Sequence, residues 1–171
     1  MSRTLVLVRH AKTASDPPGG VGGDHARALT DRGHRDAAAA AAWLANNDVN
    51  VDAALISTAR RTVQTAELLG RAIPIEGAEL ADDVYAAAAG SLLERIRTIP
   101  AAAQTLLLVG HAPGIGDLAA LLDDGSAGAA VSERLRGGLS TSGVVIFNVR
   151  DEWQLLNPGK ASVADLTTGR G

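Results

Sequence analysis

Three short apolar runs punctuate an otherwise mixed chain. Leu5–Val8 is continuous aliphatic, Val51–Ile56 is nearly so, and Thr105–Val109 reads Thr-Leu-Leu-Leu-Val. Runs of four to six residues without polar alternation fit strands buried on both faces, as in a parallel sheet covered by helices. Between them the pattern changes to helical spacing. Thr30 is placed to cap a helix over Asp31–Asn46, which is alanine-rich and closes at Asn46-Asn47. Ser57 is placed to cap a second helix over Thr58–Gly70, with Val63, Ala66 and Leu69 on one face. Ile73-Pro74-Ile75 reads as a short edge strand, and Ser91-Leu92-Leu93-Glu94 as a capping box opening a helix from Leu92 to Ile99. A helix covers Asp117–Leu122. Asp123–Gly143 reads as a long loop with one helical turn at Ser132–Leu135. Val144–Val149 is a further strand, with Glu152–Leu156 set to pair with it through a turn, and residues 161–171 form a polar, fraying tail. The alternation of strands and helices predicts an α/β fold, a three-layer αβα sandwich on a mostly parallel sheet, in one domain over residues 1–160.

Composition narrows the function. The chain has 171 residues, enough for one well-buried domain, and a net charge of −3. That balance gives no general attraction to nucleic acid or to a membrane surface, so an anion site must come from a local arginine cluster. Lysine occurs only at Lys12 and Lys160. There is no cysteine, which removes disulfides, thiolate nucleophiles and cysteine metal sites. No H-x-x-x-H or H-E-x-x-H spacing points to a metal, and no cofactor is expected. The N-terminal apolar run is too short for a signal segment, no stretch reaches a membrane span, and a cytoplasmic location follows. No exposed apolar stripe predicts an obligate dimer, so a monomer is expected.

The chemistry gathers where the buried strands end. The first delivers Arg9 and His10. The second ends at Ser57, with Arg60 and Arg61 on the next turn. The third ends at Gly110-His111. In a parallel sheet these ends share one edge, where ligands bind. Two histidines and two or three arginines meeting there suit a dianionic group, most naturally phosphate, with helix N-termini after Ser57 and Pro113 adding their N–H groups. A neutral imidazole can attack phosphorus in line if its other nitrogen keeps a proton, usually held by a backbone carbonyl. Arginines neutralise the phosphoryl oxygens and lower the histidine's pKa. His10 suits the attacking role, and His111 can donate to a phosphoryl oxygen. The proline- and glycine-rich stretch Ser15–His25 lacks the G-K-[ST] ending of a P-loop and reads as a surface flap. His25 and His34 read as surface residues. Lys12 reads equally as a phosphate contact or a solvated turn, and Arg60, Arg134 and Arg136 as solvated charge. Trp43 reads as core on a helix, and Trp153 as packing on the last strand.

Arg9-His10-Ala11 after a buried strand resembles the R-H-G/A signature of the histidine phosphatase superfamily, the phosphoglycerate-mutase-like proteins. Ser57-Thr-Ala-Arg-Arg61-Thr-Val-Gln64-Thr65 resembles its S-P-x-x-R-A-x-Q-T motif, with Thr58 in place of proline, and Val109-Gly110-His111 its second histidine motif. Arg9–Thr13 and Asp24–Gly33 resemble the short SixA-type phosphohistidine phosphatases. The resemblance implies His10 as the phosphorylated nucleophile, with Arg9, Arg61 (not Arg60) and His111 completing a phosphate pocket. It implies metal-independent hydrolysis of a phosphorylated protein or a small phosphorylated substrate. Larger members carry a glutamic acid donor in the segment equivalent to Glu79–Tyr85, where Glu79, Asp82 and Asp83 are all available here. Imidazole leaves more readily than an alkoxide, so a phosphohistidine substrate needs a weaker acid or none. The competing expectations are a phosphoglycerate-mutase-like sugar-phosphate enzyme, or a non-catalytic phosphate-binding regulatory module on the same fold.

Overall fold

The computed structural model describes residues 2–15 and 23–171. Six strands form one sheet in the order β3-β2-β4-β1-β5-β6: β1 (Arg3–Arg9), β2 (Ala53–Ser57), β3 (Ala78–Ala81), β4 (Thr105–Gly110), β5 (Gly143–Val149) and β6 (Ala161–Thr168). The pairs β3·β2, β2·β4 and β4·β1 are parallel, and β5 and β6 run antiparallel to their neighbours. The helices are α1 (Asp31–Asn46), α2 (Arg60–Leu69), α3 (Ala89–Arg97), α4 (Gly114–Leu122) and α5 (Ala129–Arg136).

The apolar runs are continuous because the sheet is covered on both sides. Leu5, Leu7, Leu106 and Leu108 face one core with residues of α3, α4 and α5. Their neighbours Val6, Val8, Leu107 and Val109 face the opposite core with α1 and α2. Alternation is present, but both faces are dry, so it does not show as polarity. No helix among the described residues is long and apolar enough to cross a membrane.

Several expected elements differ. Ile73-Pro74-Ile75 is not a strand: only one bridge forms, Val51 with Ile75, because Pro74 has no N–H to extend the ladder. The edge strand is instead β3, whose first three residues are exposed. The tail from Ala161 does not fray. It is β6, pairing along the whole of β5, with Val163 opposite Phe147 and Leu166 opposite Val145. Its Ser162, Asp165, Thr167 and Thr168 look like a tail because an edge strand keeps polar side chains. Glu152–Leu156 is a 3₁₀ turn at Trp153–Leu155 rather than a strand, and buried Trp153 donates its Nε1–H to the Ala103 carbonyl at 2.7 Å. The long loop contains the two-turn α5. The capping box is not formed: α3 starts after Ala88 without a side-chain cap, and Glu94 pairs with Arg97. Asn47 closes α1 at φ −96°, and the left-handed residue is Asp48. The expected flap falls largely on residues 16–22, outside the described residues, and Asp24–Ala26 forms a 3₁₀ turn.

Register places the site. Val8, Val109 and Ile56 lie in one row across the sheet, and Arg9 pairs with Gly110 in the next. Ser57 ends β2 in the same row. His10 extends the ladder by one bond, its N–H donating to the Gly110 carbonyl at 3.1 Å.

Candidate active site

Beyond that row the chain turns, and the turns after β1 and β2 are fixed by side chains of α2. The Ala11 N–H donates to Thr65 Oγ1 at 3.0 Å, and the Leu29 N–H to Gln64 Oε1 at 2.8 Å. Thr62 Oγ1 donates back to the Ser57 and Ala59 carbonyls. Gln64 and Thr65 thus tie the segment after β1 and the approach to α1 onto one helix. Ser57 does not cap α2, whose first residue follows Ala59. Its hydroxyl is shared with His111 instead.

Arg9, His10, Arg61 and His111 all line one cavity of about 370 Å³. The His10 and His111 rings lie 5.4 Å apart. His10 Nδ1 is 2.8 Å from the Ala11 carbonyl oxygen. A carbonyl only accepts, so Nδ1 carries the proton and Nε2 presents a lone pair. His111 Nε2 is 2.7 Å from Ser57 Oγ. Arg9 donates through Nη1 to the Leu139 carbonyl at 2.7 Å. Among the described residues, Arg9 Nε, Arg61 Nε and His111 Nδ1 are buried without a hydrogen-bond partner. Such groups are costly unless a ligand satisfies them, and three of them in residues of one pocket suit an oxyanion.

Burial pushes the His10 imidazole down to about 4, opposed by its bond to Ala11 and helped by the charges of Arg61, Arg9 and Arg27. Burial likewise pushes His111 down to about 3, with Arg61 and His10 adding and Asp24 opposing. Both rings are neutral at pH 7, which a nucleophile requires.

Three further residues complete the pocket. Asp24, Arg27 and Tyr85 line it together with Lys12 and Thr13. Arg61 donates to Asp24 twice, through Nη1 to the backbone oxygen at 2.7 Å and through Nη2 to Oδ2 at 2.9 Å. Tyr85 donates its hydroxyl to the same Oδ2 at 2.7 Å, and Arg27 Nη1 reaches Oδ1 at 2.9 Å. The Tyr85 bond, with those of Arg61 and Arg27, holds the Asp24 carboxyl well below the usual range, so it is ionised. Arg27 also donates to the Ala14 carbonyl and to Thr13 Oγ1. Asp24 and Arg27 sit inside the quoted motif, but spacing gave them no role. For Tyr85 the available signal was rarity, since it is the one tyrosine in the chain.

The candidate proton donors are elsewhere. Glu79 and Asp83 pair with Arg95, and Asp82 accepts from the Thr58 hydroxyl at 2.7 Å. None of the three lines the pocket. His25 is exposed but not free: its Nε2 lies 2.9 Å from Thr58 Oγ1, and its ring stands edge-on to Tyr85. Arg60, Arg134 and Arg136 are exposed.

A model of the histidine phosphatase superfamily (branch 1) matches residues 5–84. An uncharacterised protein of Mycobacterium tuberculosis (strain H37Rv) is 40% identical over 157 residues, covering 91% of this chain and 96% of that protein. Among solved structures, a candidate phosphohistidine phosphatase, SixA of Nakamurella multipartitia, is 30% identical with a TM-score of 0.85, covering 99% of this chain and 97% of that one. The SixA protein of Agrobacterium tumefaciens is 26% identical with a TM-score of 0.76, covering 98% and 99%.

Proposed function

The chain belongs to the histidine phosphatase superfamily, and on that premise we propose that it is a phosphatase working through a phosphohistidine on His10. The observation that carries this reading is the His10 ring itself: neutral, its Nδ1–H fixed on the Ala11 carbonyl, and set beside Arg9, Arg61 and His111 in one cavity. His10 Nε2 attacks phosphorus. The new N–P bond forms as the bond to the leaving group breaks, and Arg9 and Arg61 take the charge on the phosphoryl oxygens. If the Ser57 hydroxyl donates to His111 Nε2, the His111 proton sits on Nδ1, the buried nitrogen without a partner, and serves as a further donor. Water then attacks phosphorus, releasing orthophosphate and returning His10 to its starting state. Every step uses side chains of this protein and needs no metal.

The preferred substrate is a phosphohistidine protein. Glu79, Asp82 and Asp83 are engaged outside the pocket, and Asp24 within it is held ionised, so among the described residues no carboxylic acid is poised to protonate an alkoxide. A phosphohistidine ring that takes a proton on its other nitrogen from solvent leaves as neutral imidazole and needs no acid from the pocket. The likeness to SixA proteins supports the same substrate class. Small phosphoesters would turn over more slowly. The protein would act as a cytoplasmic monomer, which light scattering can check.

The test is turnover of a phosphohistidine-carrying protein and of an alkyl phosphoester such as glycerol phosphate, with and without EDTA. The phosphohistidine substrate should react faster, and EDTA should change neither rate. His10→Ala should cost about 10³-fold or more in kcat. Full activity of that variant removes His10 as the nucleophile, and loss of activity with EDTA removes the metal-free scheme.

A further inference from the structure

Arg61 is almost fully buried, and a buried guanidinium needs a counter-charge. It finds one in Asp24, through a two-pronged grip on the backbone oxygen and Oδ2. Both Nη groups of Arg61, the donors an oxyanion would engage, are thereby taken up by Asp24. Tyr85 and Arg27 close on the same carboxylate, giving it three side-chain donors. Among the described residues, Asp24 is also the sole carboxylate lining a pocket that holds Arg9, Lys12, Arg27 and Arg61. Arg61 cannot leave its place on α2. Asp24 can: its side chain is 48% exposed, and it sits on a three-residue turn entered through Gly23 at φ +57°.

We propose that Asp24 is an internal competitor for the phosphoryl group: it neutralises Arg61 in the empty pocket and must yield that grip, or share it against like-charge repulsion, when phosphate enters. This rests on the reading of the pocket as the phosphoryl site. Its consequence is affinity set low for substrate phosphoryl and for orthophosphate alike, so that the product leaves. The Asn isostere keeps an oxygen acceptor for Arg61 and Tyr85 but removes the charge that repels the incoming dianion. Tyr85→Phe removes one donor from the carboxylate and loosens the competitor without deleting it.

The experiment is orthophosphate binding by titration calorimetry, which is independent of turnover. Asp24→Asn should bind orthophosphate about tenfold tighter than the native protein. Tyr85→Phe should shift in the same direction by less, and Arg61→Ala should lose binding. Unchanged or weaker binding by Asp24→Asn, with Arg61→Ala still losing it, overturns the competitor and leaves the phosphatase reading standing. Orthophosphate binding that survives Arg61→Ala, or no binding to Asp24→Asn, overturns both.

Discussion

The bond from His10 Nδ1 to the Ala11 carbonyl ties the nucleophile's tautomer to the path of the backbone. Its chemistry is therefore set one residue away, by the turn that Thr65 holds. A pH dependence follows from the two neutral histidines. Unfolded histidine titrates near 6.5, whereas burial puts His10 at about 4 and His111 at about 3. The unfolded chain therefore binds more protons across that interval. The stability from these rings is complete above about pH 6.5 and declines as pH falls toward the folded values. Denaturant melts at pH 7.5 and 5 should show a loss of a few kcal/mol on acidification, reduced in His10→Ala. Imidazole resonances of both rings should stay put between pH 8 and 5.5 by NMR. At this scale the meeting of Arg9, His10 and His111 in one pocket was legible because they sit at or just past the ends of β1 and β4, while Arg61 was separated from Arg60 only by the register of the family motif. Asp24 and Tyr85 were not. They meet across 61 positions of sequence, through side chains, and no local period announces such a meeting.

Among the elements, the ones buried on both faces were legible and the sheet's edges were not. β1, β2 and β4 carry unbroken apolar runs through their centres. β3 and β6 lie at the two margins, where half or more of the side chains meet water and the pattern thins. Thr30 caps α1 as its sequence predicts, accepting from the Gly33 N–H at 3.0 Å. Gly33 has its own reason: a Cβ there would lie 2.1 Å from the Lys12 carbonyl oxygen. That oxygen already accepts from the Thr30 N–H and hydroxyl, so the first turn of α1 is pressed onto the segment leaving β1. Gly33→Ala must push the two apart. It should cost about 2 kcal/mol or more in a denaturant melt and raise KM, because Lys12 and Thr13 line the pocket. A surface alanine swap such as Arg134→Ala, on exposed α5, should do neither.

For the whole molecule, the end of β6 reaches back across the fold. Asp36 on α1 is 1% exposed and accepts from the Gly171 N–H at 3.1 Å, with Arg32 Nε at 3.4 Å and Arg170 Nη1 at 3.5 Å. Residues 169–171 pack so closely on α1 that a Cβ on Gly169 would lie 2.3 Å from the Asp36 carbonyl oxygen. Asp36→Ala takes away the acceptor that the Gly171 N–H and the exposed Arg32 and Arg170 side chains share, and should lower stability by about 1 kcal/mol, read as a drop in Tm. The stretch from Ala161, which sequence assigns to a fraying tail, is thus joined to the opposite helical layer.

That attachment continues to the nucleophile. Gly169 donates its N–H to the Ser142 carbonyl at 2.9 Å, and the buried Ser142, at φ +60°, donates its own N–H to the His10 carbonyl at 3.1 Å. The Ser142 amide hydrogen can trade with deuterium only when this clasp opens. Its exchange rate is a clock for how often the peptide carrying His10 comes loose. Removing residues 169–171 should speed that single amide far more than the amides at the centre of β1.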